Sequence, residues 1–107
     1  MNTASMKYAR WRGVIVELIR RNHLQQESRL EYVYLCDMLR TIVGNDVGLN
    51  DVLTMLQDLK TSGYVDYKVE RDEWNRQRLA IKEIELTSRG VQLAEGHIKD
   101  PAVKILL

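Results

Sequence analysis

Between Leu49 and Ser62 the chain sets Asn50, Thr54 and Thr61 at spacings that a helix of about 100° per residue turns away from Leu49, Val52, Leu53, Leu56 and Leu59. Amide and hydroxyl groups in such a row can hydrogen-bond the edges of bases. Further on, Lys68, Arg71, Arg76 and Arg78 flank a polar stretch and offer positive charge of the kind that phosphate oxygens attract. Carboxylates accompany both groups. Asp51 and Asp58 lie two turns apart on the outward face of the first, with no arginine on that face, and Glu70, Asp72 and Glu73 sit among the arginines. Lys60 stands beside the apolar stripe, where its stem can cover apolar surface. Trp74 is a large ring in a polar connection, placed either to anchor a partner or to fold back on its own strands.

Other chemistries find little support. There is no glycine-rich phosphate loop, no nucleophile elbow and no convincing pair of carboxylates for acid–base work, so an enzyme is not expected. His23 and His97 have no cysteine or carboxylate at ligand spacing, so neither a metal site nor a cofactor is expected. Cys36, the single cysteine, excludes an internal disulfide and reads as a small buried hydrophobe within a helix. Met38 and Met55 read as packing.

The elements that must position these residues follow from periodicity. Tyr8, Trp11, Ile15, Leu18 and Ile19 recur at helical spacing over Ser5 to Asn22. The run Ser28 to Glu31, "SRLE", has the form of a capping box opening a second helix, with Leu35, Met38, Leu39 and Ile42 inward. Gly44 and Gly48 bracket the turn into the third helix, which Asp51 suits at its start and Gly63 can stop. Val65, Tyr67 and Val69 then alternate as a strand, and Leu79 to Leu86 reads as its return. Leu79 and Ile81 share one parity and Ile84 and Leu86 the other, so a bulge between Lys82 and Glu83 is expected. Thr87 is placed to cap a last helix through its side-chain oxygen, without a full capping box because the third helical position is Gly90, whose lack of a side chain suits close passage of neighbouring backbone. Gly96 can end that helix.

A chain of 107 residues, 45% hydrophobic and 29% charged, has room for one core. It has no apolar signal core and no run long enough to cross a bilayer, so neither secretion nor membrane contact is expected and a cytoplasmic location is. The net charge of +1 gives no general attraction to nucleic acid, and any basic surface must be local. Residues 1–28 hold five basic side chains against two acidic ones. Residues 29–63 hold three against five.

Helix, helix, helix, strand, loop, strand, helix is the order of a winged helix-turn-helix, an α+β fold of three helices, a two-stranded β-hairpin wing and a C-terminal helix. Residues 1–96 would form that domain and 97–107 a C-terminal tail. The stretch "VLTMLQDLKTSGYVDY", Val52 to Tyr67, resembles the recognition-helix exit of winged-helix regulators of the MarR, ArsR and PadR kind. "IELTSRGVQLAEG", Ile84 to Gly96, is similar to their strand-to-helix junction. The whole chain looks most like small winged-helix proteins of Mu-like phages and prophages, some of which end in a tail similar to "GHIKDPAVKIL".

The resemblance implies double-stranded DNA as partner, with the third helix in the major groove and the wing on the backbone. Asn50, Thr54 and Thr61 would then be the readers and Lys68, Arg71, Arg76 and Arg78 the wing contacts of a transcriptional regulator. Lys7, Arg10, Arg12, Arg20 and Arg21 of the first helix would touch phosphate, face solvent or line a dimer surface. A homodimer is expected, formed through the first helix or through the apolar tail that ends "VKILL". The acidic third helix and near-zero charge support a second reading, a protein-interaction or structural module of phage origin that keeps the fold without binding DNA.

Overall fold

A computed structural model describes residues 3–24, 30–71 and 79–105. Four helices and one antiparallel hairpin follow in the order α1 (Thr3–Leu24), α2 (Tyr32–Val43), α3 (Leu49–Thr61), β1 (Val65–Arg71), β2 (Leu79–Leu86) and α4 (Ser88–Ala94). This is an α+β fold, and its described helices include none long and apolar enough to cross a membrane.

One core joins every element. The expected side chains of α1 are there, Trp11, Ile15, Leu18 and Ile19, together with Ala9 and Val16. α1 is buried on more sides than an amphipathic surface helix because α2, α3, β2 and α4 all pack around it. Tyr8 stays at the rim, with its ring edge-on to Trp11 at 5.5 Å. Cys36 is fully buried, and that burial pushes its thiol up.

Several sequence expectations need correction. Ser28 lies outside the described residues, but Leu30 and Glu31 are not helical, so no capping box opens α2 there. The helix starts at Tyr32 behind Glu31, which makes no side-chain cap. Leu30 is instead drawn into the core, and its carbonyl accepts from the Ile84 amide at 3.2 Å, which extends the edge of the hairpin by one rung. Second, Ile42 and Leu49 were expected inside and are 54% and 41% exposed. They flank the turn between α2 and α3, where Val47 fills the core and Arg40 Nε pins its carbonyl at 2.8 Å. The buried stripe of α3 is correspondingly rotated to Val52, Met55, Leu56 and Leu59, with Leu53 at its margin.

The third correction concerns the C-terminal tail, whose apolar end is expected to be exposed; Leu106 and Leu107 lie outside the described residues. Val103 belongs to the core, Ile105 packs against it, and the Lys104 amide donates to the Ala9 carbonyl of α1 at 2.9 Å. Gly13 makes the approach possible, because a Cβ there would collide with the Lys104 carbonyl. Asp100 and Pro101 form the turn that delivers this strap, with the Asp100 carboxylate accepting from the Ala102 amide at 2.9 Å.

Other local readings are borne out in detail. Gly63 and Gly96, at φ 83° and 81°, end α3 and α4 with the paired backbone bonds of a Schellman turn. Tyr64 and Gly63 donate to Leu59 and Lys60, and His97 and Gly96 donate to Gln92 and Leu93. The bulge occurs where expected. Asp66 pairs with Glu85 and Lys68 with Lys82, so β2 has one residue more than β1, and Glu83 takes φ 54°. It brings Ile81 and Ile84 to the same buried face. Only the inner end of β1 is covered: Val65 is buried, Tyr67 half-buried, and Val69 is 53% exposed against expectation, because the hairpin projects beyond the core there.

Candidate nucleic-acid interface

α3 is held at both ends by backbone chemistry. Asp51 Oδ2 accepts from the Gly48 amide at 2.9 Å and covers one of the open donors at the helix start. This carboxylate is half-buried and turned back on its own helix, so it is not a free negative group on the outward face. Asp58 is the second carboxylate that stood against phosphate. Arg12 of α1 reaches it at 3.1 Å, while its other terminal nitrogen donates to the Ala102 carbonyl at 3.1 Å. One guanidinium thus ties α1, α3 and the C-terminal strap, and it offsets the carboxylate that no arginine of α3 itself offsets. Arg12 Nε, further in, is buried and has no hydrogen-bond partner among the described residues.

The three expected readers, Asn50, Thr54 and Thr61, are all exposed on α3. Each threonine hydroxyl donates to the carbonyl one turn back, Thr54 to Asn50 and Thr61 to Gln57, both at 2.9 Å. The hydroxyls retain acceptor capacity. Lys60 is exposed near the end of α3. Its ammonium lies 4.5 Å over the Tyr67 ring and 3.5 Å from Asp66, so it joins the end of α3 to β1.

On the hairpin, Lys68 and Arg71 are exposed. Lys68 stands opposite Lys82, and the repulsion is offset by carboxylates, Glu83 at 2.8 Å from Lys68 and Glu70 at 3.3 Å from Lys82. Trp74, Arg76 and Arg78 lie outside the described residues.

The hairpin is joined to α4 through a dense polar junction. Thr87 Oγ1 accepts from the Gly90 amide at 3.1 Å and donates to the Gly63 carbonyl at 2.5 Å, while the Thr87 amide donates to Tyr64 at 2.9 Å. A Cβ on Gly90 would strike the Tyr64 carbonyl, which is why glycine stands inside so short a helix. Tyr64, buried, donates its hydroxyl to Asp100 at 2.7 Å, with the Arg89 guanidinium 5.3 Å from its ring. Burial, then the Asp100 partner, raises the Tyr64 hydroxyl above its ordinary value. The Tyr64 hydrogen bond, followed by the Ala102 amide, holds the Asp100 carboxyl below the usual range.

Sequence reasoning missed the Arg12 bridge, Val47 and the docking of the strap. The signal for the strap was Gly13, a glycine inside an otherwise strong helical pattern, where only a close backbone approach explains the loss of helix propensity. No protein-family model matches the chain, and no curated protein sequence matches it at a significant level.

Proposed function

We propose that the chain is a winged-helix DNA-binding module, phage- or prophage-encoded, that acts in the cytoplasm as a transcriptional regulator without catalytic activity. In this reading α2, the Gly44–Gly48 turn and α3 are the helix-turn-helix, β1 and β2 the wing, and the Leu30–Ile84 backbone bond the inner rung beside it. A homodimer would present two copies of α3 to spaced half-sites, compensating for the small footprint of one.

The observation that carries the reading is the disposal of both α3 carboxylates, Asp51 into its own helix start and Asp58 onto Arg12. Among the exposed residues of α3, Asn50, Thr54 and Thr61 are polar, short and able to reach base edges, with Asp58 still exposed beside them but paired. The resemblance of Val52–Tyr67 and Ile84–Gly96 to winged-helix regulators supports it independently. A titration of random duplex DNA across a salt series tests it. Affinity at low salt with a steep salt slope is expected, weakened by Arg76→Ala and Arg78→Ala in the wing. Absence of binding at low salt would sink the proposal.

That second outcome would favour the protein-interaction module. Its supporting observation is the exposure of Tyr34, Ile42, Leu49 and Val69 on a chain whose net charge is only +1.

A further inference from the structure

We propose that the chain pairs with a second copy of itself through a groove between the start of α1 and the Asp100–Val103 turn, which receives the start of α2 from the partner. The groove measures about 610 Å³ and is lined by Met6, Lys7, Arg10, Trp11, Pro101 and Lys104 among others. Its lining is mainly apolar, with the half-exposed Met6 at its edge. Its charge is one-sided. Three cations line it against a single described carboxylate, Asp100, whose two oxygens are already committed to the Tyr64 hydroxyl and the Ala102 amide. The Lys7 ammonium lies 4.5 Å over the Trp11 ring.

An occupant that matches this lining brings apolar side chains flanked by carboxylates. The chain itself carries such a surface. At the start of α2, Val33 and Tyr34 are 36% and 53% exposed, and they stand between Glu31 and Asp37, both also exposed. A step of three residues keeps Tyr34 and Asp37 on one side of α2, and Glu31 stands just ahead of its first turn. Among the described residues, no ion pair engages either carboxylate. Tyrosine between two acids suits an apolar groove rimmed by lysine and arginine. A DNA backbone would use the cations and leave the apolar lining without a purpose. Made reciprocally about a two-fold axis, the contact forms twice and closes as a dimer, the commonest symmetry of small assemblies. The proposal does not depend on DNA binding.

Sedimentation or light scattering from micromolar to millimolar protein tests it, with circular dichroism confirming that each variant is folded. The wild type is expected to reach the mass of a dimer. Arg10→Glu with Lys104→Glu reverses the groove, Glu31→Lys with Asp37→Lys reverses its occupant, and each pair should weaken association by at least about tenfold. All four changes together restore opposite charges at unchanged net charge, and the dimer should return. If a reversal unfolds the chain, Arg10→Ala and Tyr34→Ala read the same contact and should each lower the dimer fraction. A wild type that stays monomeric overturns the proposal, as does a pair variant that dimerises like the wild type. A folded fourfold variant that remains monomeric does the same. A groove variant that loses DNA affinity at unchanged mass would assign the cations to phosphate and equally overturn it.

Discussion

The strap and the α3 face are both reached by Arg12, yet they are built on opposite terms. At the strap, backbone presses on backbone: Lys104 against Ala9 and Gly13, and nearby Gly90 against Tyr64. No side chain fits between, so sequence is constrained by volume. On α3 the groups that face outward, Asn50, Thr54 and Thr61, touch little beyond their own helix. There the constraint is chemical, and folding leaves it open. A residue at the strap is dictated by what it must not have. A residue on α3 is free to be chosen for what it binds.

The hardest break is at the two glycines. Helix propensity alone makes Gly13→Ala stabilising by about 1 kcal/mol. The collision with Lys104 reverses the sign, and a net loss of about 3 kcal/mol is expected, since backbone rather than a flexible side chain must move. Gly90→Ala should cost about as much through Tyr64. Urea denaturation measures both, and a Gly13→Ala variant as stable as the wild type would mean that the strap is not docked on α1.

Next comes Arg12, where the two regions meet. Arg12→Ala removes the bond to Ala102 and leaves Asp58 uncompensated, at a cost of about 1–2 kcal/mol. The pair itself is worth only about 0.5 kcal/mol, because Asp58 is 48% exposed and water screens it. In a double-mutant cycle with Asp58→Asn the coupling should therefore be small, while the loss of the Ala102 tie persists. On the DNA reading the same cycle separates the roles of the charges. Arg12→Ala should weaken duplex binding at low salt, and Asp58→Asn should strengthen it in both backgrounds.

Much of this architecture is legible in the residues themselves, and the division follows the range of the forces. Thr87 as a cap, Gly63 and Gly96 as helix stops and the bulge at Glu83 are settled within a few residues of chain, where spacing and backbone freedom decide. Ile42 and Leu49 look equally core-like by period and are exposed, because the departure of the chain at Val47 decides which side is covered. The Arg12–Asp58 pair joins residues 46 apart and the Arg12–Ala102 bond residues 90 apart, so neither has a local signature. The candidate site was found as a face of α3, but its electrostatics came from α1.

Acid and alkali probe the strap more gently. The Asp100 carboxyl is held below its unfolded value of about 3.9. Its contribution to stability is therefore present above that value and is lost as pH falls through the folded one. The Tyr64 hydroxyl is raised above its unfolded value of about 10, so its contribution is present below that value and is lost as pH rises further. Tyr64→Phe removes the shared hydrogen bond. The variant should be less stable at neutral pH by about 1 kcal/mol and should flatten both limbs of the stability–pH curve. Unchanged limbs would locate the acid sensitivity elsewhere.

The smallest expected effect on stability is also the one that bears most on function. Asn50→Ala, Thr54→Ala and Thr61→Ala remove exposed groups with no long-range contact in the fold, so each should shift stability by no more than about 0.5 kcal/mol. Thr54→Ala and Thr61→Ala should sit at the favourable end of that range, since alanine is the better helix former and the hydroxyls only bond back to their own turn. If these residues read bases, losing any one should cost about 1–3 kcal/mol on a preferred sequence and far less on random duplex. If the chain contacts only phosphate, the three variants should bind all duplexes as the wild type does, with the salt slope intact. A sequence selection followed by titration of wild type and variants on the selected and a scrambled site makes that distinction, because loss of fold would weaken both sites alike and loss of readout only the first.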